Sequence, residues 1–333
     1  MVPGSASSGT IPSINLDPFL SGKDKDGIVR SWREACETIG FVVISGSSLP
    51  TALLDRTFDA AGQFFDQPLE VKKRAAPSVP GKQRGYAEFA SRGLAKTLGQ
   101  ETPPDLKESF FLGPIDDHRT SFASIPAAAD VYAPNILPQT PAGFADRLVE
   151  TYRAFERLGS DLLRISALAL NLEENWFADK VDKHFSVMTC HHYPPLAAEP
   201  RPGQLRAGAH TDFGALTILA MTDALGGLEV QTAGGTWTPV KIRPGDFVVN
   251  LGDMMARWTN DRWRSTLHRV ANPPGVSLAN SRRRSIGYFL HPNYDALIRC
   301  IPAKEGAASK PLYPDISAGE HIRMKIEQSA KAA

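Results

Sequence analysis

The sequence has few of the features that mark secreted, membrane or nucleic-acid-binding proteins. Its 333 residues include three cysteines, Cys36, Cys190 and Cys300, whose scattered spacing is typical of free thiols in a reducing compartment. The formal net charge of +1 gives no electrostatic reason to expect nucleic acid or an anionic membrane as partner. No apolar run approaches the roughly 18 residues of a membrane span, and the N-terminus lacks the pattern of a secretory signal. We therefore expect a cytoplasmic protein that binds a small-molecule substrate, with no protein partner indicated.

The composition that is present is ordinary for a globular protein, with 42% hydrophobic and 22% charged residues. Residues 1–10 are rich in serine and glycine and predict a disordered lead-in. Residues 11–180 predict an N-terminal helical and mixed region that packs on the core. Its apolar residues recur every three or four positions over 26–38, 51–65 and 138–172. We expect the last of these helices to pack across a sheet as a scaffold.

Residues 181–299 change character and predict the catalytic core. Many short segments rich in β-branched residues are separated by glycine and proline turns, which favours a β-sandwich or barrel. A double-stranded β-helix, or jelly roll, is the natural solution, so the expected fold is α+β and mainly β, with N-terminal and scaffold helices. One strand is predicted to continue from near His210 to Met221. Residues 300–333 predict a C-terminal tail that, with the loop over 75–105, closes over the site as a lid.

One short stretch combines residue types that bind metals. In R-A-G-A-H-T-D-F-G, His210 and Asp212 are two positions apart. Residues i and i+2 of a strand point to the same side of the sheet, so these two side chains project together and Thr211 projects away. One imidazole and one carboxylate make two thirds of the 2-His-1-carboxylate triad, which holds Fe(II) and leaves other metal positions open.

The third ligand of such a triad is a second histidine. Among the eight histidines, His268 lies in R-S-T-L-H-R-V, on a later predicted strand of the same jelly roll. His191, His192 and His291 lie beside proline turns and are less well placed. We therefore predict that the H-x-D pair and His268 bind the metal.

A second motif predicts a site for a carboxylate. In R-R-S-I-G-Y-F, Arg283 and Ser285 share one strand face by the same two-residue period. An arginine can hold a carboxylate through two parallel hydrogen bonds, and the serine hydroxyl adds a third. This pair suits the distal carboxylate of a dicarboxylic co-substrate.

These motifs together resemble a known family. H-T-D-F-G, S-T-L-H-R-V and R-R-S-I-G-Y-F are similar to motifs of the Fe(II)/2-oxoglutarate-dependent dioxygenases of the isopenicillin N synthase-like superfamily, and I-P-S-I-N-L-D-P-F-L and P-D-L-K-E-S-F extend the similarity forward. The resemblance implies an enzyme that uses Fe(II), 2-oxoglutarate and O2. It implies oxidation of a small organic molecule, most often hydroxylation, coupled to conversion of 2-oxoglutarate to succinate and CO2. The iron supplies the chemistry, and the protein orients and shields the reactants.

The resemblance also implies roles for individual residues. The family's iron ligands match the H-x-D pair and His268, and its co-substrate carboxylate pair matches Arg283 and Ser285. Tyr193 matches the tyrosine of an N-x-Y-P motif that often contacts the co-substrate. His191 stands where the family has asparagine, so it either hydrogen-bonds the co-substrate itself or packs beside it.

The segments G-Q-L-R-A-G-A-H-T-D-F-G and M-A-R-W-T-N-D resemble the fungal thymine 7-hydroxylases within this superfamily, which stack a flat pyrimidine between two aromatic rings. Phe213 and Phe289 match those rings; the alternative is that they only pack in the core. Ser186 and Thr189 match the positions that hold the pyrimidine's polar edge, where that family has asparagine and arginine, which disfavours thymine itself. We expect a small, partly flat, weakly polar substrate, such as a heterocycle or a secondary-metabolite intermediate. The apolar side chains expected to shield the iron are Phe213, Leu228, Phe247 and Phe289.

Four alternatives remain open. A nucleobase hydroxylase would use the same chemistry on a thymine-like ring. An oxidase of the same family would not use 2-oxoglutarate. A zinc hydrolase would not need Arg283 and Ser285, and zinc sites favour tetrahedral ligand sets with one open position. A jelly-roll binding protein could have lost catalysis. Stoichiometric succinate formation would separate the last three from the main hypothesis.

Overall fold

The computed structural model describes residues 11–79, 82–196, 198–222, 227–273, 280–302 and 310–331. The lead-in expected over residues 1–10 lies outside them. The helices are α1 (Asp17–Leu20), α2 (Lys25–Thr38), α3 (Thr51–Phe65), α4 (Leu69–Lys73), α5 (Phe144–Ala169), α6 (Asp253–Trp258) and α7 (Ala318–Lys331). The strands are β1 (Ser13–Asn15), β2 (Phe41–Ser45), β3 (Gly85–Ala87), β4 (Glu108–Leu112), β5 (Val187–Tyr193), β6 (Ala207–His210), β7 (Leu216–Met221), β8 (Leu228–Gln231), β9 (Trp237–Pro239), β10 (Phe247–Leu251), β11 (His268–Val270), β12 (Arg283–Leu290), β13 (Leu297–Ile298) and β14 (Ile316–Ser317).

The helical layer forms where the sequence repeats apolar residues with helical spacing. Helix α2 begins after Asp24, whose carboxylate accepts the Gly27 backbone N–H at 2.8 Å and caps the helix. Its buried Trp32 donates from Nε1 to Ser166 Oγ on α5 at 3.0 Å, which links the first long helix to the longest one. Helices α2 and α3 both contact α5, so α5 lies at the centre of this layer.

The major sheet has eight strands in the order β1-β2-β10-β7-β12-β5-β4-β3. All neighbouring pairs are antiparallel except β1 and β2. Helix α5 packs across its outer face, where Phe155 stacks on Tyr288 of β12 with ring centroids 5.6 Å apart. Phe247 also meets Phe155 on this outer face, so the expectation that Phe247 shields the iron is wrong. Every residue of β10 is buried, so the sequence of this strand does not alternate between apolar and polar residues. The sequence therefore could not show which side chains of β10 face the space between the sheets.

The minor sheet, β6-β11-β8-β9, faces the major sheet and completes the predicted jelly roll. A buried apolar cluster joins the two sheets at one end and includes Phe41, Val230 and Val248. The strand predicted to continue from His210 to Met221 is instead two strands, because β6 lies in the minor sheet and β7 in the major one. The crossing passes Gly214, where an added Cβ would lie 2.6 Å from His291 Nδ1, so only glycine fits without displacement.

Two regions expected as loop or tail contain regular structure. The loop over 75–105 includes the edge strand β3 and a 3-10 turn, Leu94–Leu98. The tail after residue 300 includes α7, which contacts that 3-10 turn. Among the described helices, none combines the length and apolar character needed to cross a membrane.

Candidate active site

A cavity of about 250 Å³ opens between the two sheets and collects most of the predicted site residues. The inner face of the major sheet forms one wall, and β6 and β11 of the minor sheet form the opposite wall. The predicted residues that line it are Phe213, Leu228, Phe289, His191, Tyr193, His210, Asp212, His268, Arg283 and Ser285. The cavity is also lined by residues that were not predicted to do so, including Arg92, Lys107, Phe111, His291 and Ile322.

Three side chains converge at one point of this cavity. His210 ends β6 and His268 begins β11, and the two are paired across these antiparallel strands. Asp212 follows β6 in the crossing segment, and its Oδ1 lies 3.7 Å from His210 Nε2 and 3.8 Å from His268 Nε2. One ligand atom from each residue lies within 4.8 Å of the others. Two imidazole nitrogens and one carboxylate oxygen form a donor set that suits Fe(II) and leaves metal positions open to other ligands.

Backbone carbonyls fix the orientation of both imidazoles. His210 Nδ1 donates to Gly208 O at 2.8 Å, and His268 Nδ1 donates to Thr266 O at 3.0 Å. With Nδ1 protonated, each Nε2 keeps its lone pair towards the convergence point. Burial, followed by the neighbouring His268, lowers the pKa of His210 to about 3, so this imidazole is neutral and available as a ligand.

Asp212 is held by two residues of the major sheet that sequence reasoning missed. Its Oδ2 accepts Thr217 Oγ1 at 2.6 Å and Asn250 Nδ2 at 2.7 Å, which leaves Oδ1 towards the histidines. Burial alone would raise the pKa of Asp212, but the two histidines and these hydrogen bonds hold it below its ordinary value. Thr217 and Asn250 lie on strands whose apolar pattern carried no sign of this role.

The predicted carboxylate site lies at another part of the same cavity. Arg283 and Ser285 on β12 pair directly with Tyr193 and His191 on β5. Arg283 is 2% exposed, its guanidinium lies 5.0 Å from the Tyr193 ring centroid, and Nη2 contacts Met221 Sδ at 3.0 Å. Its Nη1 is buried and has no hydrogen-bond partner among the described residues. A buried donor of this kind fits an incoming carboxylate, because a lone buried cation is otherwise costly.

His191, which replaces the family's asparagine, is fixed by a neighbouring strand. Its Nδ1 lies 2.8 Å from Ser109 Oγ on β4. Burial, and then the charges of Lys107 and Arg283, lower the pKa of His191 far below its usual value, so the ring is neutral. His191 thus faces the cavity and can accept or donate one hydrogen bond there.

Aromatic and aliphatic side chains line the remaining walls. Phe213 and Phe289 both line the cavity, as expected, and Phe111 on β4 is a third phenylalanine there that sequence reasoning missed. Helix α7 contributes Ile322 and Ile326. The backbone carbonyl of Phe213 lies 3.2 Å from His321 Nε2, which ties α7 to the segment that carries Asp212.

Two residues predicted to contact substrate do not line the cavity. Ser186 accepts the His291 backbone N–H at 3.1 Å and donates to the His291 carbonyl at 3.3 Å, so its hydroxyl is used within the fold. Ser186 precedes Val187, whose side chain lines the cavity. Because adjacent strand residues point to opposite faces, the Ser186 side chain points away from the cavity. Thr189 is fully buried, pairs with Gly287, and its Oγ1 has no partner among the described residues.

Comparisons with known proteins agree with this geometry. Residues 11–140 match the family described as non-haem dioxygenase in morphine synthesis N-terminal. Residues 184–292 match the 2OG-Fe(II) oxygenase superfamily. A relative from Emericella nidulans, the 2-oxoglutarate-Fe(II) type oxidoreductase hxnY, is 34% identical over 96% of this chain and 90% of its own length. The chain belongs to the 2OG-Fe(II) oxygenase superfamily. The predicted isopenicillin N synthase-like family, the enzyme class and the cofactors Fe(II), 2-oxoglutarate and O2 are therefore confirmed.

Two further proteins are similar to this oxygenase over most of their length. The proline hydroxylase buaE of Petromyces alliaceus is 32% identical over 92% of this chain and 94% of its own. A full-length Neurospora crassa protein, solved in complex with alpha-KG, has a TM-score of 0.84 and 28% identity, with 98% of both chains covered. Another structure of the same Neurospora protein contains alpha-KG and thymine. The jelly-roll prediction is confirmed by these structures.

Proposed function

We propose that this oxygenase hydroxylates a small, partly planar organic molecule and couples this reaction to conversion of 2-oxoglutarate to succinate and CO2. The observation that carries the proposal is the shared cavity. The His210, Asp212 and His268 donor set, the buried Arg283 and the aromatic side chains all open into one space. A secondary-metabolite intermediate is the substrate type that we favour.

We assign the iron to His210, Asp212 and His268, whose free donor atoms converge and whose other polar atoms are already bonded. Iron bound there would supply the oxygen chemistry. Arg283 and Ser285 would hold the distal carboxylate of 2-oxoglutarate, because Arg283 Nη1 is buried and has no hydrogen-bond partner among the described residues.

Tyr193 and His191 would border the co-substrate from the paired strand β5. Tyr193 supplies an aromatic face beside the Arg283 guanidinium, which limits where a carboxylate can approach. His191, held by Ser109, would offer a neutral hydrogen-bonding group. The role of these two residues is to orient the co-substrate and to keep water away from it.

Phe213, Phe289 and Phe111 support a substrate with a flat face, because aromatic rings favour offset or edge contacts worth about 0.5–1.5 kcal/mol beyond area burial. The likeness to the Neurospora protein, which has been solved with thymine, favours a nucleobase-like ring as a second candidate. The proline hydroxylase relative favours a saturated ring instead. Because Ser186 is used within the fold, the polar edge of a ring would need other partners in this chain.

The proposal is tested by incubating the purified enzyme with Fe(II), 2-oxoglutarate and O2, with and without candidate molecules. We expect one candidate to stimulate succinate formation and to be converted into a product that contains one more oxygen atom. Mass spectrometry should show equal amounts of this product and of succinate. Product without succinate would identify an oxidase that does not use 2-oxoglutarate. Failure to bind Fe(II) and 2-oxoglutarate at all would leave a binding protein and overturn the proposal.

A further inference from the structure

Alternate residues of strand β4 face two different environments. Lys107, which precedes the strand, Ser109 and Phe111 line the cavity. Glu108 and Phe110 point the other way, into a buried ion-pair network and the main apolar core. Strand β4 is paired with β5, so these cavity-lining residues extend the wall that carries His191.

Arg92 lies above this part of the wall. Its guanidinium carbon is 4.7 Å from the centroid of Phe111, and Nη2 donates to Lys82 O at 3.0 Å. Among the described residues, no carboxylate lies within 4.0 Å of it in an ion pair; the cavity-lining Glu88 pairs with Lys73 at 3.5 Å. Arg92 therefore presents a planar cation that is stacked on one face and has N–H groups left to donate.

Lys107 supplies a second cation on the same wall. Its Nζ lies 3.4 Å from Asp105 Oδ2, longer than the roughly 2.7–2.9 Å of a strong charge-assisted hydrogen bond. Asp105 is itself satisfied by the backbone N–H groups of Gly208 at 2.9 Å and Leu94 at 3.2 Å. The Lys107 side chain is only 11% exposed, so its ammonium has limited access to bulk water.

Two cavity-lining cations, Arg92 and Arg283, have no carboxylate ion-pair partner among the described residues. A bound divalent iron and Arg283 together balance Asp212 and the two carboxylates of 2-oxoglutarate. Lys107 has only the 3.4 Å contact with Asp105, and the exposed Lys73 lies 3.5 Å from Glu88 and 4.0 Å from Glu70. Arg283 is assigned to the co-substrate, which leaves Arg92, beside Phe111 of β4, without an assigned anion.

We propose that Arg92 and Lys107 bind a single carboxylate of the substrate, whose ring lies against Phe111. This inference rests on the proposed function and narrows it to flat molecules that carry one negative charge. Arg92 would engage the carboxylate through its fork of N–H groups, and Lys107 would approach it as a point charge. A neutral heterocycle would leave the partly buried Arg92 without an ion-pair partner, so this inference favours an acid over the weakly polar substrate expected from the sequence.

The test compares flat acids with their isosteric amides. The enzyme is loaded with Fe(II) and 2-oxoglutarate without oxygen, and binding of 2-naphthoate, 2-naphthamide, indole-3-carboxylate and indole-3-carboxamide is measured by calorimetry. We expect each acid to bind roughly tenfold or more tightly than its amide, as charge-assisted hydrogen bonds imply. Arg92→Gln and Lys107→Met should each remove most of this preference, and Arg92→Lys should retain part of it.

Lys96→Met is the matched control, because Lys96 is an exposed cation of the same segment that does not line the cavity. It should leave the preference for acids unchanged. No preference in the wild type, or a preference that survives both Arg92→Gln and Lys107→Met, would overturn the inference. The Arg92→Lys result keeps the test decisive if either neutral variant fails to fold.

The same variants separate a substrate carboxylate from a carboxylate of 2-oxoglutarate. Affinity for 2-oxoglutarate, measured on the Fe(II) enzyme alone, should change less than about twofold in Arg92→Gln, because Arg283 holds that carboxylate at another part of the cavity. If Arg92→Gln lost affinity equally for 2-oxoglutarate and for the acids, these cations would be assigned to the co-substrate and the inference would be wrong. If the wild type binds 2-oxoglutarate normally but shows no preference for acids, only this inference fails and the proposed function stands.

Discussion

At the scale of single residues, the proposed metal site depends most on Asp212. It provides the only carboxylate of the convergent donor set in the described residues, and it lies between two histidines whose orientations are fixed. We expect Asp212→Ala to abolish Fe(II) binding and turnover, because two imidazoles alone leave the divalent ion without a balancing anion. Metal content after anaerobic loading is the measurement. His118→Ala, which alters a histidine remote from the cavity, should retain full iron content; full iron in Asp212→Ala would remove it from the ligand set.

Arg283 and Arg284 are adjacent residues that face opposite sides of β12, and they make a matched pair. Arg283 lines the cavity, whereas Arg284 donates to the Phe58 carbonyl of α3 on the outer face. We expect Arg283→Leu to weaken 2-oxoglutarate binding by about 2–5 kcal/mol, the cost of removing one partner of a buried charge pair. Iron content should not change. Arg284→Leu should leave the affinity for 2-oxoglutarate unaltered, and the reverse result would mean that the strand register is wrong by one.

Residue positions on strands were predictable where the two-residue period applied. The H-x-D pair and the Arg283 and Ser285 pair are each brought into the cavity, although β6 ends at His210 and Asp212 lies just beyond it. Asn250 and Phe111 could not be found in this way. Their function depends on which strand lies beside theirs, and sequence periodicity contains no information about strand order.

At the scale of elements, β4 is stabilised by a buried network on its outer side. Glu108 accepts Lys72 Nζ at 2.7 Å and Tyr86 Oη at 2.5 Å, and its other oxygen accepts His192 Nδ1 at 2.8 Å. We expect Glu108→Gln to lower the free energy of unfolding by about 3–5 kcal/mol, because Lys72 would keep a buried charge without its anion. Urea unfolding at neutral pH is the measurement. Glu70→Gln, an exposed glutamate on α4, should change stability by less than about 0.5 kcal/mol.

The same network predicts a pH dependence. Burial alone would raise the pKa of Glu108, but hydrogen bonds from His192, Lys72 and Tyr86 hold it below the ordinary value of 4.5. A depressed pKa in the folded state stabilises the protein above that ordinary value, and the contribution is lost as pH falls through the folded-state pKa. Wild-type stability should therefore fall more steeply than that of Glu108→Gln as pH is lowered below 4.5. Parallel curves would show that Glu108 is not the group responsible.

Helices α2, α3 and α5 were predictable because each repeats apolar residues over three turns or more. Helix α7 was expected only as a tail. Short helices are marginal without tertiary contacts, and α7 gains its contacts from the cavity edge and the 3-10 turn Leu94–Leu98. The split between β6 and β7 was also hidden, because a strand that changes sheets has the same alternation as one that continues.

At the scale of the whole molecule, ligand binding should raise thermal stability in two separable steps. A ligand at 100 times its dissociation constant stabilises the folded state by about 2.7 kcal/mol. We expect Fe(II) to raise the melting temperature of the wild type and 2-oxoglutarate to raise it again. Arg283→Leu should keep the first increase and lose the second, and Asp212→Ala should lose both. An undiminished response to Fe(II) in Asp212→Ala would contradict the assigned metal site.

Asp212 also connects the two halves of the sandwich. Its Oδ1 faces histidines of the minor sheet, and its Oδ2 is held by Thr217 and Asn250 of the major sheet. The position of Asp212 Oδ1 relative to the two histidines therefore depends on how the two sheets pack against each other. Inherited or engineered substitutions in the apolar layer between the sheets could leave a fully folded chain that retains iron poorly. In such variants, metal retention would report on sheet alignment more sensitively than any spectroscopic measure of secondary structure.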